Sequence, residues 1–338
     1  MRAPSPARRD VLLGGLLIAG SSLGTLLGVP AQARVTSHPP ATALDASFRE
    51  WMSQYQVPAA SVAMMHDGRL VSTFGFGGMN AATPARIASL SKAITAVCTG
   101  QLVDAGRLSF ATPLGTVLAP TFARLGQPVD PRFKAITVEQ LLRHRAGLAR
   151  EPRRGPPERT LTQRFISTLA TPLANDPGGE MVYSNIGYIT LGVVIEAVTG
   201  TDYERYCREV ALRPMRATGT IDPKLRQRAS SGGWLMSAAD YARFIQAFEP
   251  GSPVIGPIAR QWQESLPGTR AYGLGIRILR TSQGAVLTHN GRSVAPERGG
   301  SYVIKFPNGW TAVATFAGDP RNYGADLRRR IETAIASL

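Results

Sequence analysis

The sequence predicts an α+β protein: one antiparallel sheet flanked by N- and C-terminal helices and interrupted by a mainly helical insertion, with a cleft between the two parts. Three observations predict it. Strand-like segments occur near the start of the chain and again near its end, a block of helix-period segments separates them, and helical patterns bracket both strand groups.

The first helix is expected over 43–56, where Leu44, Phe48, Trp51, Met52 and Tyr55 recur at helical spacing and Pro58 ends the pattern. Strands at 60–66 and 70–74 follow, joined by Asp67-Gly68, a pair that accepts the left-handed backbone of a tight hairpin turn. From Ser89 to Leu266 the chain reads as helices with irregular connections, at 90–105, 138–143, 161–169, 186–198, 203–212 and 238–248. Strand patterns return only afterwards, at 273–279, 285–289, 301–306 and 310–316, with Asn308-Gly309 as a further hairpin signal, and a helix is expected over 325–338. The expected organisation is a sheet domain of residues 34–84 plus 268–338 and a mainly helical domain of 85–267.

Composition narrows the function classes. The chain has 338 residues, 43% of them apolar and 18% charged, which describes a globular protein with a large core. The net charge of +15 comes mainly from arginine, since the lysines are Lys92, Lys134, Lys224 and Lys305. Those arginines are scattered rather than gathered in a stripe with interleaved aromatics, so no nucleic-acid partner is expected. Cys98 and Cys207 lie outside any C-x-x-C or histidine-rich setting and are expected as buried apolar residues, with a single bridge between them left open. His38, His66, His144 and His289 are far apart and form no H-E-x-x-H, so neither a metal nor a cofactor is expected.

Residues 1–33 read as an export signal. Arg2, Arg8 and Arg9 precede an apolar stretch at 11–29, and Ala31-Gln32-Ala33 supplies small residues for cleavage. The Arg8-Arg9 pair with the residues after it matches the twin-arginine pattern. The expectation is an exported protein, periplasmic or secreted, with no stable membrane insertion once the signal is cut. An uncleaved anchor is the competing reading, since 11–29 is nearly long enough to span a bilayer. Five glycines in that stretch weigh for cleavage.

The chemistry starts at Ser89-Leu90-Ser91-Lys92. Three-residue spacing at a helix start puts the Ser89 hydroxyl and the Lys92 amine on one helical face, where a desolvated amine can accept the proton of an attacking hydroxyl. The unpaired N–H groups of the helix start offer donors to an oxyanion. Alone, the motif reads equally well as a helix cap with a solvated lysine. Tyr183-Ser184-Asn185, ahead of a helix, and His289-Asn290-Gly291, at the end of a strand, give it company. A Ser-His-Asp hydrolase of the α/β type is set aside, because G-x-S-x-G occurs only at 20–24, inside the export signal.

Taken in order, these motifs resemble those of the class C β-lactamases, serine D-alanyl-D-alanine carboxypeptidases and related esterases. Residues 86–92 are similar to the first motif of that family, 177–188 to the second and 289–291 to the third. Residues 141–148, Gly232-Gly233-Trp234 and 272–275 match its other landmarks. The resemblance implies a β-lactamase/DD-peptidase-like fold with the active site in the cleft, and an acyl-enzyme formed on Ser89. It implies that Lys92 and Tyr183 share the proton traffic, which of them is the base being left open, and that Asn185 bonds a substrate amide. His289 replaces the lysine of class C β-lactamases; a strand-end histidine in a structural bond is the alternative. Gly291 belongs to the same motif, and Arg292 is the expected second oxyanion donor through its N–H, its side chain either meeting a substrate carboxylate or narrowing the cleft. His144 is implied as a turn-stabilising residue.

The expected activity is that of a monomeric serine hydrolase on a small acyl substrate. A peptide ending in D-amino acids is the first choice, as for a D-alanyl-D-alanine carboxypeptidase, with an ester or a β-lactam as alternatives. A non-hydrolytic penicillin-binding or cell-wall-binding module is the reading from another class. The stretch 143–164, with seven arginines, is expected as a surface loop that flanks the cleft and favours anionic substrates.

Overall fold

Two groups of strands far apart in sequence pair into one sheet. The computed structural model describes residues 39–151, 159–294, 297–318 and 323–336, all within one compact unit, Val35–Leu338. In chain order the strands are β1 (Ala60–His66), β2 (Arg69–Phe76), β3 (Ala85–Arg86), β4 (Thr220–Ile221), β5 (Trp234–Met236), β6 (Arg270–Tyr272), β7 (Arg277–Thr281), β8 (Gly284–Ser293), β9 (Gly299–Lys305) and β10 (Trp310–Ala317). Seven of them form an antiparallel sheet in the order β2-β1-β10-β9-β8-β7-β6. The first hairpin thus joins the late strands through β1 and β10, which closes the sheet across the helical insertion. At its turn both Asp67 (φ 47°) and Gly68 (φ 74°) are left-handed, the backbone that an Asp-Gly pair tolerates.

Side-chain alternation gives the sheet two apolar faces. Val62, Met64, Ile304 and Phe316 face the helices Pro39–Tyr55 and Tyr323–Ala336, which bring Leu44, Phe48, Trp51, Leu327 and Ile331. Ala63, Met65, Leu287, Val303 and Val313 point the other way, into the core shared with the helical insertion. At the centre of that core runs the helix Ser91–Asp104, hereafter the nucleophile helix, buried from Ser91 to Gly100 and again at Leu102 and Val103. A helix buried on all sides can hold a charged group only by pairing or neutralising it. That constraint falls on Lys92.

Two strand expectations need correcting. Strand structure does not wait until after Leu266: β3, β5 and β4 form a three-stranded sheet whose pieces come from within the helical insertion and its approach. These strands are two or three residues long, too short to show alternation. The expected strand over 273–279 is broken, with β6 ending at Tyr272 and β7 starting at Arg277. Between them the Gly273 N–H donates to the Ile276 carbonyl at 3.1 Å and Gly275 takes φ 71°. Helices at 114–117, 119–125 and 257–265, absent from the sequence reading, are present.

Cys98 and Cys207 are both buried and unbridged. Among the described residues no helix is long and apolar enough to cross a membrane. The export signal expected over 1–33 lies outside the described residues, as do 152–158 of the arginine-rich stretch.

Candidate active site

Ser89 sits in a single 3-10 turn, Ala88–Leu90, that runs directly into the nucleophile helix. The residue before it, Ala88, holds φ 46°, a strained backbone for alanine of the kind that persists only where surroundings enforce it. Several contacts enforce it here. The Ile87 N–H donates to the Trp234 carbonyl at 3.1 Å, the Ser301 hydroxyl donates to the Ile87 carbonyl at 2.6 Å, and Arg86 pairs with Asp222 at 2.6 Å.

Lys92 is fully buried. Its Nζ donates to Asn185 Oδ1 at 2.7 Å and to the Ser231 carbonyl at 2.6 Å, and lies 3.2 Å from Ser89 Oγ. The first two partners can only accept, so they take two amine protons. The remaining position, aimed at Ser89, carries either the third proton of the ammonium or the lone pair of the neutral amine. Burial lowers the Lys92 pKa and favours the lone pair; Tyr183 and Glu151 oppose the shift and Arg228 adds to it.

Asn185 opens the helix Asn185–Thr199, where Ser184 is the cap and accepts from the Ile186 N–H at 3.1 Å. The Asn185 amide nitrogen donates to Glu151, which also pairs with Arg164 at 2.6 Å and Arg228 at 3.6 Å. Asn185 is thus fixed from both ends, with its oxygen on Lys92 and its nitrogen on a carboxylate. Tyr183 lies with its ring centroid 4.9 Å from Lys92 Nζ, and its hydroxyl is buried with no hydrogen-bond partner among the described residues.

The histidines stand one layer behind. His289 Nδ1 lies 2.8 Å from the Asn290 carbonyl, which can only accept, so Nδ1 carries the proton and Nε2 accepts from the Tyr272 hydroxyl at 2.9 Å. The imidazole is buried, and both its nitrogens are engaged by the protein. His144 Nδ1 accepts from the Ser184 N–H at 3.2 Å and its carbonyl accepts from the Val182 N–H at 2.8 Å, holding the Tyr183 segment from both sides. Its ring lies 4.3 Å from that of Tyr183.

Burial, with neighbouring positive charge from Lys92 and Arg277, keeps both imidazoles well below their ordinary value of 6.5. The unfolded chain takes up a proton on each below about pH 6.5 and the native protein does not, so stability is expected to fall as pH drops through that value. Each histidine contributes a limiting slope of about 1.4 kcal/mol per pH unit. Thermal unfolding followed by circular dichroism between pH 7 and 5 checks this. His144→Phe is expected to show a shallower acid limb than wild type, and equal limbs would refute the assignment.

Ser89 opens into a cavity of about 490 Å³ whose lining includes Asn185, Ser231, Lys224, Arg228 and Arg292, with no carboxylate among the lining residues. Gly291, in β8, packs against the turn before Ser89: a Cβ there would stand 2.4 Å from the Ile87 carbonyl oxygen. The structure therefore brings Ser89, Lys92, Tyr183 and Asn185 together, sets His289 behind them and Gly291 beneath, and places Arg292 on the cavity wall. Sequence reading missed Glu151 and the Ser231 carbonyl. A carboxylate inside a run of arginines was the available signal for Glu151; a backbone carbonyl leaves none.

The comparisons with known proteins bear on the family and the fold. The family model described as Beta-lactamase matches residues 44–336. A curated relative, acyltransferase mokF of Monascus pilosus, is 30% identical over 218 residues, covering 55% of this chain and 52% of that protein, so the chain spans about half its length. Among solved structures, D-amino acid amidase from Ochrobactrum anthropi SV3 superposes with a TM-score of 0.72 at 18% identity, covering 89% of this chain and 100% of that one. The β-lactamase/D-alanine carboxypeptidase from Yersinia pestis gives 0.70 at 17% identity, covering 88% and 98%. With the sheet, the inserted helices and the three motifs in one arrangement, the chain belongs to the Beta-lactamase family and has its serine-hydrolase fold.

Proposed function

We propose that the protein is an exported serine hydrolase that works through an acyl-enzyme on Ser89, with peptides ending in a D-amino acid as the favoured substrates. One observation carries the reading. Lys92 is buried, gives two protons to acceptor-only partners and aims its third position at Ser89 Oγ.

In the first step the Ser89 Oγ–H proton passes to the neutral Lys92 amine as Oγ bonds to the substrate carbonyl carbon. The proton then goes to the leaving nitrogen through the Lys92/Tyr183 pair, and the C–N bond breaks to leave the acyl-enzyme. Water attacks that ester and gives a proton to the same pair, which passes it to Ser89 Oγ as the acyl C–Oγ bond breaks and the carboxylic product leaves. The Ser89 N–H, in the turn before the nucleophile helix, donates to the oxyanion in both halves. Asn185, held by Lys92 and Glu151, positions the substrate amide.

The cavity supports a substrate with a free carboxylate. Lys224, Arg228 and Arg292 line it and no carboxylate does, so its wall is positive even though Lys224 and Arg228 each have an acid at 3.4 Å and 3.6 Å. The names of the structural neighbours, a D-amino acid amidase and a D-alanine carboxypeptidase, support D-configured amide substrates. A turnover panel of D-Ala-D-Ala peptides, their C-terminal amides, nitrophenyl esters and a chromogenic cephalosporin tests this. The free-acid peptides are expected to rank first by kcat/KM; esters ranking first, with the peptides untouched, would replace this substrate class with the esterase alternative.

A further inference from the structure

We propose a second ligand site, a cavity of about 930 Å³ beside β6, β7 and β8 that shares no lining residue with the Ser89 cavity and binds an oligoanion carrying two or more phosphate or carboxylate groups. Alternation along β8 places it. Val286 belongs to the core under the terminal helices and Leu287 to the core of the helical insertion. Thr288 and Asn290 therefore share the outer face and line this cavity, while His289 and Gly291 face the nucleophile.

The lining is strongly cationic. Arg143, Arg145, Arg270, Arg277 and Arg328 contribute to it, against one carboxylate, Glu180. Arg143 is neutralised by Glu139 at 2.7 Å and Arg328 by Glu332 at 2.7 Å. Arg145, Arg270 and Arg277 have no carboxylate within ion-pair distance among the described residues: Arg145 bonds the Gly178 and Gly179 carbonyls and Arg277 the Asn290 side chain. Guanidinium groups gathered in one concavity focus a positive field, and their planar forks match carboxylate and phosphate oxygens.

The volume exceeds what a single phosphate fills and suits a drug-sized ligand. Met181, half exposed, and Leu279 give it an apolar wall for the body of such a ligand. Asn290 joins the two sites, since its side chain takes Arg277 while its carbonyl accepts from His289. The inference does not rest on the acyl chemistry.

Calorimetric titration of the full chain with tripolyphosphate and with tricarballylate tests it. Saturable binding of at least one is expected, and which one binds tells phosphate from carboxylate ligands. Arg145→Gln with Arg270→Gln is expected to weaken it at least tenfold, and Arg145→Lys with Arg270→Lys, which keeps the charge, to retain most of it. Arg292→Gln, on the wall of the Ser89 cavity, is expected to leave it unchanged. No saturable binding of either anion, full binding by a folded glutamine pair, or an equal loss in Arg292→Gln would overturn the proposal.

Discussion

Replacing Lys92 with methionine is expected to slow acylation of Ser89 about a thousandfold, the scale on which a positioned base contributes. Methionine fills the space of the lysine stem but leaves Asn185 Oδ1 and the Ser231 carbonyl without their donor. Each orphaned acceptor costs about 1–3 kcal/mol, so the variant also melts lower. Lys92→Arg separates charge from basicity: a guanidinium keeps the positive charge but does not deprotonate. It is expected to be as slow as the methionine variant. Wild-type acylation should rise with pH as the amine, its pKa lowered by burial, loses its proton, and both variants should lose that rise. Stopped-flow acylation by an activated ester reads all three. An arginine variant within tenfold of wild type would mean that the amine does not take the proton.

The second large effect is expected at Gly275. A Cβ there would lie 2.4 Å from both the carbonyl carbon and the oxygen of Lys92, with the backbone at φ 71°. Gly275→Ala must therefore push the nucleophile helix at the residue that matters most. Overpacking against backbone with a left-handed alanine costs about 3 kcal/mol or more. For a chain of this size that lowers the melting temperature by roughly 5 °C or more. Gly106→Ala isolates the backbone cost, since Gly106 has φ 68° and nothing within 4 Å of its Cβ position. It should lose only about 1 kcal/mol and keep its acylation rate. Equal, small losses in both variants would contradict the close approach.

These effects show which features were legible in the sequence. β1 and the helix over 161–169 were read to the residue, the first because Pro58 and Asp67-Gly68 bracket it and the second because helical spacing runs its full length. The two-part sheet was legible because its strands carry apolar residues at period two or on both faces. The break at 273–276 was not, because Gly275 serves a close approach to the nucleophile helix and Gly273 one to Gln263, rather than a strand. The small sheet of β3, β4 and β5 was hidden by its short strands. At the site, Ser89, Lys92, Tyr183 and Asn185 were found as side chains in short motifs. The partners that orient them, Glu151 and the Ser231 carbonyl, come from segments with no motif. His289 was sought as a substrate contact, and its two hydrogen bonds to Tyr272 and Asn290 depend on pairing that sequence does not display.

The central claim is that Ser89 is the nucleophile, and the mass of the protein after exposure to an acylating compound tests it most directly. Folded wild-type protein treated with a fluorescent penicillin or an activated ester is expected to gain one acyl group, mapping to the peptide that contains Ser89. Ser89→Ala, with an unchanged circular dichroism spectrum, is expected to gain none. A folded wild type that gains no adduct from any acylating compound, or a Ser89→Ala variant labelled as fully as wild type, would contradict it.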